Sequence, residues 1–221
     1  MQILFLFLPL FAFGDSKIDL QFSICDSSPE AVLQKLDQAK AKTKESPITY
    51  YDSPLPQYLQ DGVSLRTKTK KNANISSVKI RFDREVQIPE ANCEWDLYGT
   101  QEKYTCEVTA SVHHPKHPWS KEQKLFLSRY YQESDLSSLQ AFGPYRDRKW
   151  KLEHKGEKIS FDSVDTDEAG PIMEISQKVP YSQKEETYAK FQHWLRKHGV
   201  VLCDRQEPKT ARLFRALWIL R

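Results

Sequence analysis

Apolar and polar positions alternate with a period of two through most of this chain, and that period predicts strands. Nine stretches carry it: residues 17–24, 47–52, 62–70, 77–84, 94–98, 103–111, 145–153, 158–164 and 172–179. Three other stretches switch to helical spacing. Ser27-Ser28-Pro29-Glu30 opens the first, with Ser27 and Glu30 spaced as a capping box and Val32, Leu33, Leu36 and Ala39 on one face. Ser120 with Gln123 starts the second, ahead of Leu125, Phe126 and Leu127. Ser182 with Glu185 starts the third, where Tyr188, Phe191 and Leu195 recur at helical spacing and Gly199 marks the end. There is more strand than helix, no repeat and no low-complexity linker, so the pattern predicts one α+β domain.

The strands have two unlike faces. Val63, Leu65, Thr67 and Thr69 oppose Ser64, Arg66, Lys68 and Lys70. Val78, Ile80 and Phe82 oppose Lys79 and Arg81; Ile18, Leu20, Phe22 and Ile24 oppose Lys17, Asp19, Gln21 and Ser23. Met173 and Ile175 oppose Ile172, Glu174 and Ser176, and Arg146 and Arg148 share a face ahead of Trp150. Two architectures give this pattern. One is a sheet with its apolar face on a core and its charged face in water. The other is a closed barrel with helices outside and a polar interior, gathering Arg66, Lys68, Lys79, Arg81, Arg146 and Arg148 around a cavity. Buried cations are costly unless paired, so such a cavity calls for an anion, and phosphate matches guanidinium geometry best. Alternation alone does not choose between the two.

Composition narrows the classes of function. With 5 Trp, 10 Tyr and 11 Phe in 221 residues, the chain has enough aromatic side chains for a sizeable core. Only 7 Gly are present, which disfavours Gly-rich nucleotide loops, and no Walker loop, Ser-His-Asp or Cys-His signature occurs. The balance of 33 Lys+Arg against 30 Asp+Glu, +3 net, is too small to point to nucleic acid.

Residues 1–14 carry no charge and are dominated by Leu and Phe, ending in Ala12-Phe13-Gly14 before Asp15. The apolar run is far shorter than the roughly 20 residues of a membrane-spanning helix, so it reads as a signal peptide, with a mature domain over 15–221 and no later span. That reading expects a secreted or periplasmic protein. The four cysteines are then expected to form two disulfides. Cys93 and Cys106 flank a hairpin turning near Gly99, which leaves Cys25 for Cys203; no Cys-x-x-Cys is present to favour zinc. His113, His114 and His117 read as a Pro-flanked loop, Trp194 and Trp218 as packing residues, and Asn74-Ile75-Ser76 as a glycosylation sequon.

Tyr50-Tyr51-Asp52-Ser53-Pro54, then Leu59-x-x-Gly62-Val63-Ser64-Leu65-Arg66-x-Lys68, resembles a stretch of CYTH domains, members of the triphosphate tunnel metalloenzyme superfamily. Val78-Lys79-Ile80-Arg81, Arg146-x-Arg148-x-Trp150, Ile159 to Val164 and Gly170 to Ile175 follow in that family's order, ahead of a helix and a closing basic segment, Lys209 to Leu217. The resemblance implies a closed antiparallel β-barrel of about eight to nine strands, a tunnel with helices packed outside. It implies that Arg66, Lys68, Lys79, Arg81, Arg146 and Arg148 contact a triphosphate or polyphosphate. It makes Glu174, Asp19 and Asp162 candidate ligands for Mg²⁺ or Mn²⁺, with Glu174 and Asp19 catalytic, Glu107 a possible substitute and Asp52 structural.

The family's first-strand Glu-x-Glu-x-Lys reads Lys17-Ile18-Asp19-Leu20-Gln21 here, and a later Glu-x-Glu reads Glu174-Ile175-Ser176. Two expected acids are missing, and a cation stands where a metal ligand is expected. The resemblance therefore implies an exported binder of inorganic polyphosphate or an organic triphosphate, with metal-dependent hydrolysis as one reading. A non-catalytic polyanion binder, or a structural module whose interior is filled by salt bridges, is the alternative.

Overall fold

A computed structural model of the chain describes residues 16–70, 73–114, 116–131, 136–167 and 169–219. The leader expected at residues 1–14 lies outside the described residues, as does the side chain of Trp218. All nine predicted strands form: β1 Lys17–Ile24, β2 Thr43–Asp52, β3 Val63–Lys70, β4 Ala73–Phe82, β5 Asn92–Tyr98, β6 Gln101–Ser111, β7 Gln140–His154, β8 Glu157–Thr166 and β9 Gly170–Pro180. They close a barrel in the order β1-β5-β6-β4-β3-β2-β7-β8-β9. The closed barrel is as expected, and it departs from all-antiparallel pairing at one place. The barrel is mixed, because β1 runs parallel to β5, with Asp19 beside Asp96, while the other pairs are antiparallel.

Helices α1 Pro29–Lys35, α2 Gln57–Gln60, α3 Lys121–Tyr130, α4 Lys184–Lys197 and α5 Lys209–Ile219 complete the chain. The capping box of α3 is made as predicted, from Ser120 and Gln123. The box expected at α1 is not made: the cap is Ser28, one residue later, which accepts from Ala31 N–H at 3.1 Å, and Ala31 has no polar side chain to reach back. At α4 the chain enters through a short 3₁₀ turn, Tyr181–Gln183, and the Gln183 cap makes no side-chain bond. Asp52 is structural as expected: its carboxylate accepts backbone N–H groups of Ser53, Tyr58 and Leu59, pinning α2 to the end of β2.

The apolar strand faces point outward, under the helices. Phe22, Ile24, Trp150, Leu152, Phe161, Met173 and Ile175 bury against Val32 and Leu33 of α1 and Phe191 and Leu195 of α4. Val63, Leu65, Val78, Ile80 and Val108 bury against Phe126 and Leu127 of α3. Helix α5 does the reverse. Leu213, Phe214 and Leu217 pack on Ile48, Tyr50, Val164 and Ile172, which share strand faces with Lys68, Arg66, Asp162 and Glu174. One end of the interior is therefore apolar and occupied by α5, and the rest is polar.

Both expected disulfides are present, Cys25–Cys203 and Cys93–Cys106. The second joins directly opposed residues of β5 and β6. Among the described residues no helix is long and apolar enough to cross a membrane.

Candidate functional site

Pairing register decides which side chains face inward. Arg66 stands opposite Tyr50, Lys79 opposite Glu107, and Asp162 opposite both Glu174 and Lys149. Asp19, Arg66, Lys79, Arg81, Asp162 and Glu174 all line one interior cavity of about 320 Å³. Lys149, Lys151, Lys178 and Lys209, which the sequence reading did not single out, line it too. Lys68 faces inward but is engaged by the buried carboxylate of Asp147.

Arg146 and Arg148 lie elsewhere, and the expectation that they face the cavity is corrected. Arg146 is on the outer face in a bidentate pair with Glu45, at 3.0 and 2.5 Å. Arg148 is also outside, paired with Glu30 and Asp165 and lying 5.3 Å from the centre of the Trp150 ring. The cause is a break in register between β2 and β7: Tyr50 opposes Phe142, yet Ile48 opposes Tyr145. The extra residue flips the faces of β7 from there on, so Asp147, Lys149 and Lys151 turn inward. Gly143 makes the break possible. Its φ is +112°, and a Cβ there would come within 2.9 Å of the Ile48 carbonyl oxygen. A signal was available, because Lys149 and Lys151 alternate with Trp150 and Leu152, the side chains that the helices cover.

Many interior charges are already matched. Arg66 Nη2 donates to Glu107 Oε1 at 2.9 Å, and the Ser77 hydroxyl donates to the same carboxylate. Lys149 pairs with Asp162 at 3.1 Å, and Lys178 pairs with Glu94. Lys209, at the start of α5, lies 3.8 Å from Asp147 and 3.7 Å from Asp162, and its backbone N–H donates to Glu174. Burial opposes its charge, but Asp162, Asp147 and Glu174 outweigh that and raise its pKa. Among the described residues Lys79, Arg81 and Lys151 line the cavity without an ion pair; Lys151 donates to Ser160 Oγ at 2.6 Å. Three buried polar atoms on inward-facing residues have no partner: Asp19 Oδ1, Tyr50 OH and Arg81 Nε.

The acids separate into two groups. Glu174 and Asp162 face each other beside Lys209, but they do not join Asp19 in a three-donor cluster. The three-donor cluster found among the described residues is Asp19 with Glu94 and Asp96, their oxygens within 4.8 Å of one another. Burial, then the charges of Asp96 and Glu94, lift the Asp19 carboxyl to about 7. Gln21 bridges Asp96 at 2.9 Å and Asp19 at 3.4 Å, but an amide cannot neutralise either. Lys17, on the same face of β1, is exposed. Asp162 is held below the usual carboxylate range: burial opposes this, and Lys209 and Lys149 prevail. In the Asp19 group one oxygen, Asp19 Oδ1, is without a partner, while Glu94 is paired with Lys178; the charge of Asp162 is matched by lysines. His113, His114 and His117 join no three-donor group among the described residues.

No family model and no curated protein sequence matches this chain. Its structure is similar to HpAC1 from Hippeastrum, described as a candidate adenylyl cyclase with a dominant triphosphatase activity. The TM-score is 0.59 at 14% identity, over 90% of this chain and 94% of that one. It is also similar to a candidate adenylate cyclase from Bacillus halodurans, with a TM-score of 0.61 at 15% identity over 90% and 98% of the two chains. At such identity the likeness establishes architecture alone: this chain shares the closed-barrel fold of these two proteins, and that architecture is the one the sequence resemblance implied.

Proposed function

We propose that the barrel cavity binds the phosphate chain of an organic triphosphate or of inorganic polyphosphate, in a protein exported to an oxidising compartment. The observation that carries this reading is the set of interior cations left without acids. Among the described residues Lys79, Arg81 and Lys151 make no ion pair, and Arg81 Nε is a buried donor without a partner. Unsatisfied buried donors are rare in native proteins, and a ligand is one of the usual reasons for them. A phosphate chain would accept from all of these groups, spreading its charge over several cations. The fold supports the reading, as does the triphosphatase activity described for the Hippeastrum protein. Two disulfides and the apolar leader support export.

Binding by this cavity needs no metal. Calorimetric titration of the metal-stripped protein with tripolyphosphate tests it. Saturable binding is expected, and an ionic hydrogen bond is worth about 1.5–3 kcal/mol, so Arg81→Ala should weaken it by about ten- to a hundredfold. No binding, or binding indifferent to Arg81→Ala, contradicts the proposal.

A second reading, hydrolysis of the bound chain, is favoured by the free oxygen of Asp19. A divalent ion held by Asp19, Glu94 and Asp96 would neutralise charge on a phosphate oxygen. The chain's own contribution would be positioning by Lys79, Arg81 and Lys151. Phosphate release with Mg²⁺ or Mn²⁺ that Asp19→Asn abolishes, while metal-free binding survives, supports it. No release with either ion removes it and leaves a binder.

A further inference from the structure

A second concavity lies outside the barrel. It is a groove of about 560 Å³ between α4 and the β7–β8 hairpin. Its floor is apolar. Ile159 and Phe191 are only 2% and 4% exposed, and Trp194 stacks between Phe191 and His154, at 5.8 and 4.4 Å between ring centres. The indole Nε1 of Trp194 is buried and has no partner. The rim carries Lys155, Lys190 and Lys197 against a single acid, Glu157. Lys190 is paired with Glu186, whereas Lys155 and Lys197 make no ion pair among the described residues.

Lys155 is placed there at a conformational cost. Lys155 and Gly156 are the two residues between the paired His154 and Glu157, with φ of 51° and 82°. A two-residue turn with both φ positive favours Asn or Gly at its first position, because a Cβ crowds the backbone there. A lysine in that position puts a cation at the groove mouth.

The geometry points to a binding site for a small amphiphilic anion, with an aromatic ring or acyl chain on Ile159, Phe191 and Trp194 and a carboxylate, sulfonate or phosphate against Lys155 and Lys197. The volume is in the range of small-molecule sites, and an apolar floor with a few convergent polar groups is their usual make-up. Unpaired rim cations select for an anion over a neutral or cationic molecule. The site is independent of the barrel cavity, since its floor is built from outward-facing residues.

The test is titration of the full chain with 8-anilinonaphthalene-1-sulfonate, followed by probe fluorescence, with laurate and dodecanol as competitors. The expected result is saturable 1:1 binding, displaced by laurate but not by dodecanol, and weakened by about tenfold or more in Lys155→Glu/Lys197→Glu. Both lysines are exposed, so this variant should keep the parent's melting temperature. Quenching of tryptophan emission by laurate should vanish in Trp194→Phe. Binding unaffected by the charge reversal, equal displacement by dodecanol, or quenching that persists in Trp194→Phe would each overturn the assignment. Adding phosphatidylglycerol vesicles separates two sources of the same chemistry. Co-sedimentation lost in the double variant identifies a lipid as the ligand's carrier, and its absence identifies a free amphiphile.

Discussion

Arg66 and Glu107 meet inside the barrel, 2.9 Å apart, and the Ser77 hydroxyl donates to the same carboxylate. Burial alone would raise the Glu107 carboxyl, but the charges of Arg66 and Lys79 and these hydrogen bonds lower it to about 2. That acid thus holds one interior cation, Arg66, in a direct pair. Lys79 lies opposite it on β4 without a direct ion pair.

The pH dependence of stability follows from that relationship. The folded state holds this carboxyl ionised down to about pH 2, whereas an unfolded Glu titrates near 4.5. Between those values the unfolded chain binds more protons, so stability falls as pH falls through that window. The shift corresponds to about 3 kcal/mol at most. Denaturant midpoints between pH 2 and 6 should show an acid limb that Glu107→Gln flattens. An unchanged limb contradicts the pairing.

Lys209 is the buried hub between β7, β8 and α5. Lys209→Met leaves Asp147 and Asp162 each with one remaining lysine, Lys68 and Lys149. Breaking a buried charge pair typically costs about 3–5 kcal/mol, and the partial compensation here puts the expected loss near about 3 kcal/mol. Urea unfolding of the variant measures it, and a loss within error of zero would mean that α5 is not held by this contact.

The two disulfides close loops of very different length, with sequence separations of 178 and 13. On the chain-entropy model they restrict the unfolded chain by about 5 and about 3 kcal/mol. Cys25→Ser/Cys203→Ser should therefore lower the melting temperature more than Cys93→Ser/Cys106→Ser. The reverse order would show that native-state packing at the β5–β6 pair outweighs loop entropy.

Cations outside the barrel should not matter for the ligand. Arg146→Ala and Arg148→Ala should leave tripolyphosphate affinity unchanged, although the second should cost stability through Asp165, Glu30 and the Trp150 ring. Lys151→Ala should weaken binding by about tenfold or more. Equal losses from Arg146→Ala and Lys151→Ala would move the binding surface to the outer face.

Much of this was legible in the sequence because a strand's period is local. Alternation alone located all nine strands, and the ordered resemblance supplied the closure that alternation could not. What stayed hidden was non-local. The parallel pairing of β1 with β5 depends on strand order, which no single strand encodes. Which face of β7 turns inward is set by one extra residue near Gly143, and the alternation of Lys149 and Lys151 with Trp150 and Leu152 was its only local trace. The acid cluster needed the same information, because Glu94 and Asp96 reach Asp19 only through that parallel pairing. Lys209 was visible as part of a basic segment, but its descent into the barrel depends on Leu213, Phe214 and Leu217 finding the apolar end of the interior.

The central claim is that the barrel cavity holds a phosphate chain. A crystal structure of the protein with tripolyphosphate tests it most directly. The account predicts density for the chain inside the barrel, with phosphate oxygens in hydrogen-bond reach of Lys79, Arg81 and Lys151. An interior containing only the ion pairs and water, or a ligand seated outside at Arg146 and Arg148, would contradict it.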